Sequence, residues 1–190
     1  MNHKERCSWC IGDKLYETYH DKEWGIPTYD DTRLFEFLIL ELFQAGLSWI
    51  TILRKRDNFR MAFENFDYYK ISKYTDDNIQ GLLQNKSIIR NKLKIKATIS
   101  NAQAFIKIQK QFGSFSNYIW AFTKNTTIQN KYNKNTPSNS PLSYVISQDL
   151  KRHGFKFIGS TIIYAFMQSI GMVNDHEITC FRYKEHLKFK

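Results

Sequence analysis

Apolar side chains recur at helical spacing along much of this chain, and this periodicity is the feature that most limits its fold. From Asp30 or Asp31, either of which suits a helix N-cap, the pattern runs to Gly46, which suits a C-terminal stop. A second helix is expected to begin directly afterwards, at Ser48. No stretch shows the sustained alternation of apolar and polar residues that indicates a strand. The sequence therefore predicts an all-α fold.

The middle of the chain has the pattern of a helix, a short turn and a second helix. Asp76 and Asp77 provide a cap for a short apolar helix, residues 85–87 interrupt it, and helical periodicity resumes over residues 88–112. We therefore expect two helices joined by a tight turn near residues 79–100.

A polar loop and a last helix complete the pattern. Residues 123–141 hold two of the three prolines and almost no apolar side chains, which predicts a long surface loop rather than a domain linker. The last helix is expected to start near Ser160 and to end at Gly171. Because no internal repeat of useful period is present, we expect one compact all-α domain over residues 1–190.

Positive charge is concentrated in one part of the chain. With 28 Lys plus Arg against 18 Asp plus Glu, the net charge is +10, yet no acidic residue lies between Asp77 and Asp149. The basic residues of that segment are Lys86, Arg90, Lys92, Lys94, Lys96, Lys107, Lys110, Lys124, Lys131 and Lys134. A local excess favours a face that binds a polyanion such as nucleic acid, where neutralised phosphates release counterions. A general bias toward Lys and Asn is the alternative explanation.

The sequence offers no segment for a membrane. No stretch approaches the roughly 20 apolar residues of a spanning helix, and residues 1–10 carry charges where a signal peptide is apolar. We expect a cytoplasmic protein without membrane contact. Cys7, Cys10 and Cys180 are too few for a disulfide framework in a reducing compartment, or for the usual iron–sulfur cluster.

The two ends of the chain carry a possible set of metal ligands. His176 and Cys180 are four residues apart, which puts both on one face of a helix. Near the other end, Cys7 and His20 could complete a closed tetrahedral site of the kind that suits structural zinc. Cys10 is paired with Cys7 at a two-residue spacing and could replace His20. The alternative is that these thiols and histidines are unrelated.

A carboxylate and several aromatic residues lack an obvious structural reason. Glu41 interrupts the apolar run of residues 38–43, so it is exposed on a polar stripe, paired, or held in a pocket at a cost. The aromatic residues near it in sequence, or in the N-terminal region, are Trp9, Tyr16, Tyr19, Trp24 and Trp49. They either fill a core or line a cavity for a flat, cationic ligand, with Glu41 at its end.

Five segments of the chain together resemble the 3-methyladenine DNA glycosylase I family of bacterial alkylation repair. In order, they are CSW from Cys7, YETYHDKEWG from Tyr16, ELFQAGLSWI from Glu41, IIRN from Ile88 and GFKFIGSTIIYAFMQSIGMVNDH from Gly154. They span nearly the whole chain. The resemblance implies a helix-hairpin-helix glycosylase fold with one structural zinc ion per chain. The implied ligands are Cys7, His20, His176 and Cys180, with Cys10 outside the pattern.

The resemblance also implies roles for residues of a base pocket. Glu41 accepts hydrogen bonds from the base and offers negative charge to the cationic lesion, while Trp49 stacks on the ring. Tyr16, Tyr19 and Trp9 shape the same pocket.

A DNA-binding hairpin is implied at residues 85–91, where backbone N–H groups hold a phosphate and Ser87, Arg90 and Lys92 contribute. Ser87 stands where such hairpins usually carry glycine. No catalytic Asp follows the hairpin, as the resemblance to this subgroup implies.

The implied activity is hydrolysis of the N-glycosidic bond of 3-methyladenine in alkylated double-stranded DNA by a monomeric enzyme. The free base is released and an abasic site remains. A lyase step through Lys86 or Lys92 would require a Schiff base, whereas the resemblance implies a monofunctional hydrolase. The competing hypotheses are a glycosylase for another purine and a non-catalytic, zinc-stabilised DNA-binding module. The module leaves Glu41 and Trp49 without a purpose.

Overall fold

The computed structural model describes residues 4–187, so the first three and last three residues of the predicted domain lie outside the described residues. Helices make up most of this range, together with two short 3-10 turns and two strands of two residues each. The helices are α1 (Lys14–Lys22), α2 (Asp31–Gln44), α3 (Trp49–Ala62), α4 (Tyr68–Ile71), α5 (Asp76–Gln84), α6 (Lys92–Phe112), α7 (Phe115–Ala121), α8 (Pro141–Arg152), α9 (Ser160–Ser169) and α10 (Phe181–His186). The strands are β1 (Ile128–Gln129) and β2 (Val173–Asn174).

Helix α2 is the centre of the core. Its ten consecutive residues from Leu34 to Phe43 are all buried, because α3, α6, α7 and α9 pack around it. A helix that is apolar nearly all round is expected to be enclosed in this way. The Asp30 carboxylate caps it by accepting from the backbone N–H of Arg33, and Ser48 precedes α3. Both predicted helices are therefore confirmed.

The helix–turn–helix in the middle of the chain is present with shifted ends. Thr75 is the N-cap of α5, and the two predicted aspartates lie in its first turn, where negative charge is favourable. Helix α6 begins at Lys92, four residues later than predicted. The reason is Asn91, whose side chain accepts hydrogen bonds from the backbone N–H groups of Leu93 and Lys94 and so starts the helix there.

The all-α prediction needs one correction. β1 pairs in parallel with β2, with Ile128 opposite Val173, and so ties the polar loop to the segment that follows α9. The loop also ends earlier than the predicted residue 141, because Pro141 is the first residue of α8. Strands of two residues leave no alternation for a sequence pattern to detect. The fold is therefore mostly helical rather than purely α.

The C-terminal region also differs from the prediction. Helix α9 is not the last helix, since α10 follows it. The residues between β2 and α10 form turns, so His176 and Cys180 do not share a helical face as predicted. Within residues 4–187, no helix is long and apolar enough to span a membrane.

Candidate functional site

A cavity of about 250 Å³ opens between α1, α2, α3 and α9. This volume suits a small flat ligand. All five residues predicted for the base pocket line it, and so do residues from the polar loop and α9. The full lining is Trp9, Tyr16, Tyr19, Trp24, Glu41, Gln44, Trp49, Thr136, Ala165 and Gln168. The structure thus brings together residues that are more than 150 positions apart in the chain.

Glu41 lies on α2 and is 4% exposed, so it does not belong to a solvated polar stripe. Burial raises the pKa of its carboxyl to about 8, against the opposing effect of a hydrogen bond from Ser169. None of the ion pairs formed by residues 4–187 includes it. A buried carboxyl without a cationic partner in a cavity is typical of a functional site.

The aromatic residues form the walls of this cavity. Trp9 contacts Tyr16 and Trp24 edge to face, with ring centroids 4.8 and 5.0 Å apart. The rings of Tyr19 and Trp49 are 5.4 Å apart and tilted by 44°. The Tyr19 hydroxyl and the Trp49 Nε1 are buried without a hydrogen-bond partner among the described residues. Buried polar atoms are normally paired, so both are available to a bound molecule.

A second cavity of about 480 Å³ adjoins the first and shares Glu41, Gln44 and Gln168 with it. It extends along residues 45–47 and past residues 136–138 of the polar loop. The sequence analysis missed both glutamines. The available signal was the position of each amide at or near the end of an apolar helix, where a polar side chain has no packing role.

The predicted metal ligands meet at one buried point. The ligand atoms of Cys7, His20, His176 and Cys180 all lie within 4.8 Å of one another, and all four residues are buried. Sulfur-to-nitrogen distances are 3.5 Å from Cys7 Sγ to His176 Nδ1, and 3.4 and 3.8 Å from Cys180 Sγ to His20 Nε2 and His176 Nδ1. Tetrahedral zinc, with bonds of about 2.3 Å to sulfur and 2.0 Å to nitrogen, separates such atoms by roughly 3.5 Å. The set therefore fits this metal.

Surrounding groups favour metal binding at this cluster. His20 Nδ1 lies 2.8 Å from the Asp21 carboxylate, which directs Nε2 inward, and Arg6 holds that carboxylate with both guanidinium nitrogens. Contact with Cys7 and with the imidazoles lowers the pKa of the Cys180 thiol. Cys10 is buried but directs its Sγ to the Cys7 carbonyl oxygen at 3.2 Å, so it does not replace His20 in the cluster.

Trp24 connects the cluster to the cavity. Its ring centroid is 4.6 Å from that of His176, and Trp24 also lines the cavity beside Trp9. Gly25 follows with a φ of +79°, and a Cβ there would lie 2.8 Å from His176 Nε2. Glycine is therefore required at this close approach. The metal-ligand cluster and the cavity share a wall.

The predicted DNA-binding turn joins α5 to α6 over residues 85–91. Its Asn85 side chain accepts hydrogen bonds from the Ser87 backbone N–H at 3.0 Å and from the Ser87 hydroxyl at 2.6 Å. Ser87 is not among the residues with positive φ, so its backbone does not require the glycine usual at this position. Arg90 and Lys92 are exposed, as contact with a polyanion requires.

Lys94 corrects the interpretation of the basic segment. It is 6% exposed, and its ammonium donates to the carbonyl oxygens of Phe43 and Ala45 at 2.9 and 2.7 Å. It therefore binds the end of α2 rather than a polyanion. Lys55 of α3 similarly donates to the Ser87 carbonyl at 3.0 Å. These two lysines attach the turn and α6 to the helices that carry Glu41 and Trp49.

Comparison with known proteins gives consistent matches over nearly the whole chain. The family model for methyladenine glycosylase matches residues 9–183. The chain is 42% identical to DNA-3-methyladenine glycosylase 1 of Escherichia coli (strain K12), covering 93% of this chain and 95% of the relative. A crystal structure of 3-methyladenine DNA glycosylase I is 44% identical, with a TM-score of 0.90 over 93% of this chain and 98% of the other. A variant of 3-methyladenine DNA glycosylase I in complex with 3-methyladenine is 32% identical, with a TM-score of 0.90 over 93% and 96%. This chain belongs to the methyladenine glycosylase family.

Proposed function

We propose that this chain is a DNA-3-methyladenine glycosylase that excises 3-methyladenine from alkylated double-stranded DNA. The observation that carries the proposal is Glu41, a buried carboxyl without a cationic partner inside an aromatic-lined cavity of the size of a single base. The base in this lesion is positively charged while it is attached to DNA, and both an anionic carboxylate and aromatic faces favour a cation. The names of the relatives agree with this substrate.

The chemistry requires little of the protein beyond binding and exclusion of other bases. Enzymes of this kind must take the target base out of the stack into a pocket. We assign Trp49 to stacking on the flipped ring, and Glu41 to hydrogen bonding and charge neutralisation. Tyr16, Tyr19 and Trp9 enclose the ring. Water attacks C1′ of the sugar and the C1′–N9 bond breaks. Its electron pair neutralises the leaving base, and one proton of the water passes to solvent.

DNA contact is assigned to the turn between α5 and α6, which we interpret as the hairpin of a helix-hairpin-helix unit. Arg90 and Lys92 are exposed beside it, and the end of α6 can add backbone N–H groups to a phosphate contact. The bonds from Lys55 and Lys94 support this assignment, because they hold the turn against the helices of the cavity. A bound phosphate would then position the lesion at the cavity mouth.

We assign one structural zinc ion per chain to Cys7, His20, His176 and Cys180. The sulfur-to-nitrogen distances near 3.5 Å and the Asp21 contact to His20 support this assignment. The four ligands leave no open position for a catalytic water, so zinc would serve the fold by joining the two ends of the chain. Through Trp24 it would also support one wall of the cavity.

The proposal covers the whole chain and its setting. We treat residues 1–190 as one catalytic domain that acts as a monomer, since one active site engages one lesion. A DNA substrate implies the bacterial cytoplasm as the working compartment.

Release of free bases from dimethyl-sulfate-treated DNA tests the function. We expect selective release of 3-methyladenine, resolved by chromatography from 7-methylguanine, and no borohydride-stable protein–DNA adduct. An adduct would instead indicate a lyase through Lys86 or Lys92. A folded, zinc-loaded sample that binds DNA but releases no base would indicate the non-catalytic binding module.

A further inference from the structure

We propose that Gln168 is a specificity-determining residue of the base pocket, and that Asp175 sets its orientation. The inference rests on the proposed function and extends it to the choice between methylated purines. Gln168 lies on α9 and lines both cavities opposite the helix that carries Glu41. Asp175 is 2% exposed and belongs neither to the metal-ligand cluster nor to the cavity lining.

The Asp175 carboxylate is fully occupied as an acceptor. Its Oδ2 accepts from the Tyr164 hydroxyl at 2.7 Å and from Gln168 Nε2 at 2.8 Å, and its Oδ1 accepts from Asn130 Nδ2 at 2.7 Å. A carboxylate can only accept hydrogen bonds, so it selects the amide nitrogen of Gln168 and repels the amide oxygen. The usual ambiguity of a glutamine amide is thereby removed.

The consequence is a fixed acceptor at the cavity. With Nε2 held by Asp175, the Oε1 of Gln168 is left to accept a hydrogen bond from a ligand. Adenine carries an exocyclic amino donor at the position where guanine carries a carbonyl acceptor. An amino group has two N–H bonds, which can serve Glu41 and Gln168 together. A guanine carbonyl at that position would instead face an acceptor that cannot turn, and would remain buried without a partner.

The second glutamine of the cavity offers a matched comparison. Gln44 also lines both cavities, but no hydrogen bond to a carboxylate orients its amide. Replacing either glutamine with methionine preserves length and volume while it removes the amide. Only Gln168→Met is expected to change the choice between bases. Asn130→Ala serves as the control for Asp175, since it removes a hydrogen bond from the same carboxylate without affecting that of Gln168.

The experiment measures initial rates of release of 3-methyladenine and 3-methylguanine from the same dimethyl-sulfate-treated duplex DNA, by the full chain and its variants. For Gln168→Met and Asp175→Ala, we expect the ratio of the two rates to fall roughly 5- to 100-fold, the range for one buried hydrogen bond lost or left unsatisfied. For Gln44→Met and Asn130→Ala, the ratio should match that of the unaltered chain. Quenching of tryptophan fluorescence by the two free bases gives the same comparison at the level of binding.

Three results overturn the inference. They are an unchanged ratio in Gln168→Met, an equal fall in Gln44→Met, and a fall in both rates without any change in their ratio. Zinc content and melting temperature are measured for Asp175→Ala because Asp175 precedes a metal ligand. If that variant loses zinc, Gln168→Met decides the outcome alone. If the unaltered chain releases no 3-methyladenine, the proposed function fails and the inference fails with it. Release with an unchanged ratio removes the inference only.

Discussion

Replacing Glu41 with glutamine should stabilise the protein while it impairs base excision. Burial raises the pKa of this carboxyl from 4.5 to about 8. Between these two values the folded chain keeps a proton that the unfolded chain has lost, so the free energy of unfolding falls as pH rises. Each pH unit is worth about 1.4 kcal/mol. The loss is therefore roughly 3 kcal/mol at pH 7 and approaches about 5 kcal/mol above pH 8.

Glutamine has nearly the same shape and carries no charge, so Glu41→Gln avoids this loss. At pH 7, about 3 kcal/mol corresponds to a melting temperature higher by roughly 6 to 12 °C. The difference should shrink toward zero near pH 4, where the unaltered carboxyl is protonated in both states. Thermal unfolding at several pH values measures it. Glu36→Gln is the matched control, since Glu36 is also buried on α2 but pairs with Arg33 and Arg60 at 2.6 and 2.8 Å. Its replacement should lower the melting temperature.

The pH dependence of excision gives the complementary measurement. Only about a tenth of free enzyme molecules carry an ionised Glu41 at pH 7, given a pKa of about 8. We therefore expect kcat/KM for 3-methyladenine release, corrected for spontaneous release, to rise through pH 8. Glu41→Gln should release the base poorly at every pH. A stability difference that does not vary between pH 5 and 8, or full excision by Glu41→Gln, would refute the reasoning.

Three further predictions follow from the metal-ligand cluster, the turn and the buried lysine. Cys180→Ser should lose bound zinc and melt at a lower temperature, whereas Cys10→Ser should keep one zinc per chain by elemental analysis. Equal zinc in both variants would contradict the assigned ligands. Arg90→Ala should weaken DNA binding and reduce the dependence of log K on log salt by about one, without changing affinity for free 3-methyladenine. A salt slope equal to that of the unaltered chain would exclude a phosphate contact. Lys94→Met removes two hydrogen bonds at the end of α2 and should cost about 2 kcal/mol of stability by denaturant unfolding. The exposed Lys96→Met should cost little, and equal effects would argue against a bond between α6 and α2.

Much of the helical core could be predicted from the sequence because its signals are local. The cap at Asp30, the apolar run of α2 and the turn at Gly46 each depend on residues within about four positions. Short elements gave no such signal. The pairing of β1 with β2 joins residues more than 40 positions apart, and two residues cannot show a strand pattern.

The candidate site divides in a similar way. The identities of the metal-ligand and pocket residues were predicted from spacing and from resemblance, and the structure brings the members of each set together. Sequence reasoning left two questions open, namely whether Cys10 replaces His20 and whether Glu41 is solvated. It also treated Lys94 as part of a basic surface and did not identify the amide of Gln168.

The sequence by itself determined where the main helices begin and end, which residue types are available for metal and base, and how much charge the chain carries. Only the tertiary structure decided that Glu41 is enclosed without a cation, that Lys94 is buried under α2, and that Asp175 orients Gln168. The physical reason is range. Helix caps and periodicity depend on neighbours along the chain, whereas burial, pKa and hydrogen-bond orientation depend on groups brought together from distant positions.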